Sequence, residues 1–317
     1  MELFSADSAS GRFFAPPGKS IEFHHGIVMK KPPLLSVITV VRNDLPGLVA
    51  TSESLLRQTD RDFEWIVVDG ASSDGCVAFL ESFQSMPLLW RSEPDRGIYD
   101  AMNKGTRLAR GEFVIYLNAG DSFREPDCVS AISQALRSDL KPDLLCCGAF
   151  YVYGEQSILR RPRRLESSIW HTVPSVHQAM VFRREFLDDP PYDLSYPVSA
   201  DYFLAARCFV KGARVAYLDS RVVDFTLGGS SSRHKWGSLK DMLRIQRRIL
   251  KQGWPLCLVS ALRRVASQTA VQLIVYWGNL RRGIAGPAND DAAPSAESQP
   301  QALCGNRPRI AEEANHG

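Results

Sequence analysis

The 317-residue sequence predicts an α/β fold, with a mixed, mostly parallel sheet flanked by helices and a helical extension at its C-terminal end. Short apolar runs rich in β-branched residues alternate with stretches of helical spacing over the first 140 residues. Polar loops follow these runs. The composition, 44% apolar and 23% charged, is typical of a folded globular chain and excludes disorder over most of its length.

The first half of the chain contains four expected strands. Each is a short, mainly apolar run, as a strand buried on both faces should be, and together they cover residues 34–41, 63–69, 88–92 and 112–118. Four helices separate or follow them: one ends near Gln58, one begins near Asp74, one covers Ile98–Leu108 and one opens at Pro126. Strands that alternate with helices in this way pair in parallel.

The second half follows a looser pattern. Strands are expected at residues 143–153, 177–183 and 214–218, and a helix at Ala200–Val210. We expect these elements to extend the same sheet. The chain then divides into a flexible arm (1–31), the α/β domain (32–235), a basic amphipathic helical segment (236–285) and a disordered tail (286–317).

Charge and cysteine content exclude several classes of protein. The net charge of +3 requires no nucleic-acid partner, and the seven cysteines form no CxxC pair of the kind found in zinc ribbons or redox sites. The net positive charge is local, because residues 233–283 hold eleven Lys or Arg and one acidic residue, Asp241, whereas the rest of the chain has a net negative charge. Such a distribution suits contact with an acidic surface.

No secretory signal pattern occurs in the first 30 residues. The best candidate for a membrane-spanning segment, Val265–Leu280, has 16 uncharged residues and includes several polar ones. A spanning helix needs about 20 mostly apolar residues. We therefore expect a cytoplasmic protein that is peripheral at the inner face of the cell membrane.

Each of the first four expected strands is followed by a loop with at least one aspartate, namely Asp44, Asp69, Asp95 and Asp121. Ligands of open parallel sheets bind beyond the carboxyl ends of the strands, so these loops meet at the expected binding edge. Crowded carboxylates indicate a shared cation, and oxygen ligands favour Mg²⁺ or Mn²⁺. The alternative is that loop Asp residues only cap helices and turns, an explanation that suits Asp74 best and Asp44 next.

The familiar nucleotide-binding motifs are absent. The loop after the first strand reads RNDLPG rather than GxGxxG, and no GxxxxGK with a following Ser or Thr occurs. The DGASSDG loop has the Asp of a methyltransferase motif but not its central glycine. These absences favour a nucleotide bound by side-chain carboxylates, with its diphosphate on a metal ion.

Seven sequence blocks, taken in order, resemble those of family 2 glycosyltransferases. They read SVITVVRND, EWIVVDGASSDG, EPDRGIYDAMNKG, GEFVIYLNAGD, HQAMVFRREFL, SADYFLAARCFVKG and GGSS. The similarity is greatest to bacterial members that build exopolysaccharide, colanic-acid-type or glycolipid glycans. It implies a GT-A fold for residues 32–235, a nucleotide-diphosphate sugar donor, a divalent cation, inversion at the anomeric carbon and a glycan or polyprenyl-linked acceptor.

The resemblance also implies roles for individual residues. Asp69 matches the residue that contacts the nucleobase, and Asp95 and Arg96 match the segment near the base and diphosphate. The metal motif corresponds to Asn118-Ala119-Gly120-Asp121, in which Asp121 is the remaining strong ligand and Asn118 lies on the donor side. Asp201 matches the general base that takes the proton of the acceptor hydroxyl.

Two histidines are further candidates. His177, with Gln178, precedes an apolar strand and is either an acceptor or diphosphate contact or a structural group. His234, after GGSSS, is a candidate metal ligand or diphosphate donor. The basic segment 236–285 is either an interfacial helix on anionic lipid or a helix pair that packs on the domain.

The sequence therefore predicts an inverting, metal-dependent glycosyltransferase of cell-surface glycan assembly. One alternative is a non-catalytic module of the same fold that binds nucleotide sugars or glycans, which Asn118 at the first metal position would favour. A methyltransferase-like α/β enzyme is the other.

Overall fold

The computed structural model describes residues 31–153, 156–226 and 235–266. Within these ranges nine strands form one sheet. They are β1 (Leu35–Val41), β2 (Phe63–Asp69), β3 (Leu88–Ser92), β4 (Phe113–Tyr116), β5 (Ser122–Phe123), β6 (Leu144–Tyr153), β7 (Gln156–Arg160), β8 (Met180–Arg183) and β9 (Val215–Thr226).

The strand order is β3-β2-β1-β4-β8-β6-β9-β5, and β7 pairs with β6 as a hairpin. The first four strands in that order are parallel, as the sequence predicts. In the second half, β8 runs antiparallel to β4 and β6, β9 runs parallel to β6, and β5 runs antiparallel to β9. The sheet is thus mixed, and the start of β8 lies at the carboxyl end of β4.

Helices cover both faces of the sheet. They are α1 (Leu45–Leu56), α2 (Cys76–Ser82), α3 (Ile98–Leu108), α4 (Cys128–Leu136), α5 (Leu165–Ser168), α6 (Ala200–Val210) and α7 (Lys235–Arg248), and residues 254–266 are also helical. None of the helices among the described residues is both long and apolar enough to cross a lipid bilayer.

The hydrophobic core is divided by the sheet into two layers. Alternate residues of a strand face opposite sides, so Val37 of β1 joins the layer that contains α1, α2 and α4, whereas Ile38 joins the layer of α3 and α6. All seven residues of β1 and of β2 are buried. This explains why these strands read as mainly apolar runs without a polar face.

The structure differs from the sequence-based expectation at three places. β9 extends to Thr226, eight residues beyond the expected end at residue 218. The short β5 is not expected from the sequence, because it has only two residues. The β6–β7 hairpin is not expected either. The expected strand at 177–183 begins with a 3₁₀ turn, His177–Ala179, and becomes extended only at Met180.

Several expected features lie outside the described residues. They are the arm except for residue 31, the loop that holds His234, residues 267–285 of the basic segment, and the tail 286–317. The proposed divisions at these positions stay predictions.

Candidate active site

The candidate site lies at the carboxyl edge of β1, β2 and β4. Backbone pairing continues past the end of β4, because the amides of Leu117 and Ala119 donate to Ile38 and Val40 of β1. The loop that starts at Asn118 therefore leaves the sheet beside the ends of β1 and β2. The 3₁₀ turn at His177 reaches the same edge, because β8 is antiparallel to β4.

Asp69, the last residue of β2, is fully buried. Its Oδ2 accepts hydrogen bonds from the amide of Ser72 at 3.0 Å and the hydroxyl of Ser92 at 2.6 Å. Its Oδ1 is buried without a hydrogen-bond partner among the described residues. An unpaired buried carboxylate oxygen is costly, so Oδ1 is suited to accept a hydrogen bond from a ligand.

Asp95 packs against the end of β2 beside Asp69. Its Oδ1 accepts a hydrogen bond from the amide of Gly97 at 2.8 Å. A Cβ atom at Gly70 would lie 2.4 Å from Oδ2 of Asp95 and 3.3 Å from the side chain of Arg42. The glycine at position 70 thus allows the Asp95 carboxylate to approach the strand end.

The Arg96 side chain is directed away from Asp69 and Asp95. Its guanidinium forms an ion pair with Asp100 at 3.0 Å, and its side chain is 77% exposed. It lines a separate cavity of about 520 Å³ that also includes Tyr192 and Arg207. A donor-binding role for Arg96 stays a prediction and requires the side chain to leave Asp100.

Hydrogen bonds hold the Asn118–Asp121 loop against α1. The hydroxyl of Thr51 lies 2.7 Å from the carbonyl oxygen of Asp121, and the amide of Gly120 lies 3.0 Å from the carbonyl oxygen of Gly47. Gly120 has φ of 88°, a conformation that favours glycine. Oδ1 of Asn118 is buried without a hydrogen-bond partner within the described ranges.

Asp44 has a structural role at this edge. It is the N-cap of α1, and its Oδ1 accepts a hydrogen bond from the amide of Gly47 at 3.0 Å. Its Oδ2 lies 3.8 Å from the position that a Cβ atom would take on Gly120, so the cap faces the Asn118–Asp121 loop. The expected capping role is present, and donor binding by Asp44 stays a prediction.

The Asn118–Asp121 loop has few groups that could bind a metal ion. The described part of the chain contains no cluster of three or more His, Cys, Asp or Glu side chains arranged for a metal. Asp121 is buried, and Asn118 offers the unpaired amide oxygen described above. Mg²⁺ is commonly held by one or two carboxylates together with substrate phosphates, so this donor set fits a cation that binds with a diphosphate.

Asp201 lies in the first turn of α6, close to the start of α3. Its Oδ1 lies 2.8 Å from the amide of Tyr202 and 3.3 Å from the hydroxyl of Tyr99. Tyr99 follows the Asp95–Gly97 segment by two residues, so one side chain connects that segment to the expected base. This tyrosine was not a candidate in the sequence analysis.

His177 is buried against aromatic rings. Its ring stacks on Tyr116 with a centroid distance of 5.2 Å, and its Nε2 lies 2.6 Å from the hydroxyl of Tyr192. Burial lowers the pKa of His177 to about 4, which the charge of Asp201 only partly opposes, so the imidazole is neutral at pH 7. Gln178 is also buried. A neutral His177 positions Tyr192 and could still donate or accept a hydrogen bond through Nδ1.

The match to known protein families is specific. A family model described as "Glycosyl transferase family 2" matches residues 36–198. An uncharacterized glycosyltransferase of Mycobacterium tuberculosis is 43% identical over 109 residues, which cover 34% of this chain and 42% of that relative. A "PGL/p-HBAD biosynthesis glycosyltransferase" of Mycobacterium bovis is 30% identical over 213 residues, which cover 63% of this chain and 80% of that protein.

Two solved structures show the same fold. The mannosyltransferase PcManGT from Pyrobaculum calidifontis, in complex with GDP-Man and Mn²⁺, aligns with a TM-score of 0.53 at 18% identity and covers 83% of this chain and 84% of that one. Residues 1–349 of TarS from S. aureus, in complex with UDP-GlcNAc, align with a TM-score of 0.55 at 18% identity, over 67% of this chain and 65% of that one. At 18% sequence identity the likeness to these two structures shows the fold alone.

Proposed function

This chain belongs to glycosyl transferase family 2 and has the GT-A fold, and from that premise we propose that it is an inverting, metal-dependent enzyme. It transfers a sugar from a nucleotide-diphosphate sugar to a hydroxyl group of a glycan or lipid-linked acceptor. The product belongs to cell-surface polysaccharide or glycolipid. Family membership removes the methyltransferase-like alternative.

One observation carries the proposal for the donor. Oδ1 of Asp69 and Oδ1 of Asn118 are both buried and both lack a hydrogen-bond partner among the described residues. They follow β2 and β4, which both pair with β1, so they lie at the same edge of the sheet. Two unpaired oxygens of this kind suit a polar ligand that brings donors or a cation to them.

The proposed roles divide the donor into two parts. Asp69, with Asp95 beside it, binds the nucleobase end through its unpaired oxygen. Asp121 and Asn118 would hold Mg²⁺ or Mn²⁺, which would supply positive charge to the diphosphate leaving group. Ligands of these kinds occur in the two solved structures of the same fold, since one is in complex with GDP-Man and Mn²⁺ and the other with UDP-GlcNAc, which supports a nucleotide-sugar donor and a divalent cation in general.

Asp201 is the proposed base. In an inverting transfer a single base removes the proton of the acceptor hydroxyl while its oxygen attacks the anomeric carbon and the diphosphate leaves. Oδ1 of Asp201 accepts hydrogen bonds from Tyr99 and from the amide of Tyr202, which restrains the carboxylate, and Oδ2 is the oxygen that we propose takes the proton. Asp201 is half-buried, so an acceptor can reach it.

A membrane surface is the proposed location. The helix at residues 254–266 buries Cys257 and Ser260, and Ser260 accepts a hydrogen bond from Gln246 of α7. Its other face exposes Trp254, Leu258 and Leu262 by 66%, 61% and 62%. The helix thus both packs on the domain and presents an apolar stripe, which suits insertion into the interface of an anionic bilayer at the cytoplasmic side.

The non-catalytic alternative rests on Asn118 in place of a carboxylate. A panel of nucleotide sugars with Mn²⁺, followed by product detection, distinguishes the two functions. An enzyme hydrolyses its donor slowly or transfers it, whereas a binding module is stabilised by the nucleotide without turnover. Asp69→Ala should remove the thermal stabilisation by nucleotide. Equal stabilisation in this variant would argue against the proposed donor site.

A further inference from the structure

A second cavity, of about 390 Å³, lies beside the candidate site and has no role in the proposed donor chemistry. It is lined by Tyr151 of β6, by Leu159 and Arg160 of β7, and by residues 161–163 and 172–176. Pro174, Ser175 and Val176 are buried and form its floor, while Arg160, Arg161 and Arg163 are exposed at its rim. The cavity therefore has an apolar and hydroxyl-bearing base and a cationic rim.

The lining of this cavity, called the arginine cavity below, is positively charged. It contains three arginines and no acidic residue. Arg161 forms an ion pair with Asp219, and the Arg160 guanidinium lies 5.2 Å from the centre of the Tyr151 ring. The Arg163 side chain has no acidic partner among the described residues. Concave sites lined by charge of one sign attract ligands of the opposite sign.

The arginine cavity is close to the candidate site. Val176, on its floor, directly precedes His177. On the other side, Ala149 of β6 pairs with Val223 of β9, which pairs with Phe123 of β5, two residues after Asp121. Two strand spacings place Ala149 about 10 Å from Phe123. Ala149 is two residues from Tyr151 of the cavity lining, and Phe123 is two residues from Asp121, so the cavity and the Asn118–Asp121 loop lie within three adjacent strands of the sheet.

The segment that forms the floor also contacts the C-terminal helical region. The carbonyl oxygen of Trp170 accepts a hydrogen bond from Gln246 at 2.8 Å, and the Arg263 guanidinium lies 5.9 Å from the Trp170 ring. The chain from residue 170 to residue 177 thus passes from the helix with the apolar stripe, along the arginine cavity, to the candidate site. In an acceptor linked to polyprenyl phosphate the phosphate lies between the apolar chain and the sugar, which is the same order.

We propose that the arginine cavity binds a phosphate group carried by the acceptor, between the lipid and the sugar that receives the transfer. This inference rests on the proposed function. Arginine is suited to the task because its planar guanidinium donates two parallel hydrogen bonds to a phosphate. Arg160 and Arg163 are the contacting residues. The hydroxyl of Ser175 already donates to the carbonyl oxygen of Cys147 at 2.6 Å, so the arginines supply the donors.

The first test measures binding of inorganic pyrophosphate to the full chain by calorimetry in EDTA, where the donor site lacks its cation. We expect the double variant Arg160→Gln/Arg163→Gln to bind roughly tenfold more weakly or worse, because charge-assisted hydrogen bonds are lost. Arg164→Gln is the matched control, since Arg164 is exposed and adjacent but does not line the cavity. Equal weakening in the control, or no weakening in the double variant, overturns the proposal.

The second test separates an acceptor phosphate from the phosphates of the bilayer. Flotation with phosphatidylglycerol vesicles should be the same for wild type and the double variant within about twofold, because the apolar stripe is unchanged. Loss of vesicle binding in parallel with pyrophosphate binding would assign the arginines to lipid headgroups and reject the acceptor phosphate.

A third measurement distinguishes failure of this inference from failure of the proposed function. Thermal stabilisation of wild type by UDP or GDP with Mn²⁺ reports the donor site alone and should not change in the double variant. If wild type responds to no nucleotide, the proposed function fails while the pyrophosphate result still stands. If the nucleotide response is normal and pyrophosphate binding ignores the arginines, only the acceptor phosphate is rejected.

Discussion

The hydroxyl of Tyr99 lies 3.3 Å from Oδ1 of Asp201 and 3.1 Å from the carbonyl oxygen of Val198, so its single proton is shared between two acceptors. Burial, and next the charge of Asp201, raises the pKa of Tyr99 well above its ordinary value. The phenol therefore remains a proton donor throughout the working pH range. This contact joins the first turn of α3, which follows the Asp95–Gly97 segment, to the helix that carries the proposed base.

Replacing the proposed base should affect turnover and spare donor binding. In Asp201→Asn the side chain keeps its shape and loses its basicity, so the transfer rate should fall by about 10²–10⁴. Nucleotide affinity should be unchanged because the donor contacts lie on other loops. Transfer kinetics and calorimetry with the same protein sample measure both quantities.

The control for this variant is Asp127→Asn. Asp127 is exposed at the N-cap position of α4 and makes no side-chain capping hydrogen bond. It should transfer sugar at the wild-type rate. A wild-type rate in Asp201→Asn would reject Asp201 as the base and direct attention to Asp193.

Tyr99→Phe should have a smaller effect on the same step. It removes one hydrogen bond to the Asp201 carboxylate, which corresponds to about 1 kcal/mol, or roughly fivefold in kcat. KM for the donor should stay the same, because the phenol contacts the base and not the proposed donor residues. A merely structural role for Tyr99 would instead lower the melting temperature and leave kcat unchanged, which thermal unfolding and steady-state kinetics can tell apart.

Asp121→Ala should abolish the part of donor binding that depends on metal. In wild type, nucleotide affinity measured with Mn²⁺ should exceed that in EDTA; in the variant the two should be equal. The fold should survive, because the contact that holds the loop to α1 uses the main-chain carbonyl oxygen of Asp121. Metal-dependent affinity in a folded Asp121→Ala protein would exclude this residue as a ligand.

Much of the fold follows from local sequence patterns. Strands β1, β2 and β3 begin and end within one residue of the prediction, because each is a short, mainly apolar run bounded by polar loops. β5 could not be expected in this way. It has two residues and exists because Ser122 and Phe123 pair with Asp224 and Val223, about 100 residues later in the chain. Such pairing depends on tertiary contacts and leaves no local signal.

The candidate site was predictable in part for a related reason. Asp69 and Asp121 follow strands, and parallel topology brings strand ends to one edge. Tyr99, Tyr116 and Tyr192 were missed, because apolar and aromatic residues at helical or strand spacing read as ordinary core. The arginine cavity had a visible signal, the RRPRR run at residues 160–164, but its meaning depends on the cavity that residues 172–176 complete.

An ion pair away from the candidate site should make stability depend on pH. Arg214 donates to both carboxylate oxygens of Asp143 at 2.9 and 2.8 Å and holds the pKa of Asp143 below its ordinary value of 3.8, although desolvation opposes this. Because the pKa of Asp143 is lower in the folded than in the unfolded chain, the ionised carboxylate stabilises the fold at pH values above the unfolded pKa. That stabilisation is lost as the pH falls through the folded pKa. Asp143→Asn should melt roughly 2–4 °C lower at pH 7.

The difference in melting temperature should shrink as the pH approaches 3 and below, where Asp143 of the wild type becomes protonated. Nucleotide binding at pH 7 should be normal in the variant. Asp143 directly precedes β6 and lies beside the carboxyl end of β8, whereas His177 lies before the amino end of β8. A melting difference that stays constant from pH 7 to pH 3 would show that the lost contact is a neutral packing effect.

The apolar stripe on the helix at residues 254–266 should determine membrane binding. Leu258→Ser/Leu262→Ser removes two leucines that are each about 60% exposed, and burial of one leucine side chain contributes roughly 1.5–3 kcal/mol. Affinity for phosphatidylglycerol vesicles should therefore fall at least about tenfold. The matched control is Phe209→Ser/Val210→Ser, which removes two exposed apolar side chains at the end of α6. Retained vesicle binding in the leucine variant, or equal loss in the control, would contradict a role for the stripe.

A change from monomer to a larger species in wild type, absent in the leucine variant, would show that the stripe is covered by a second copy of the chain.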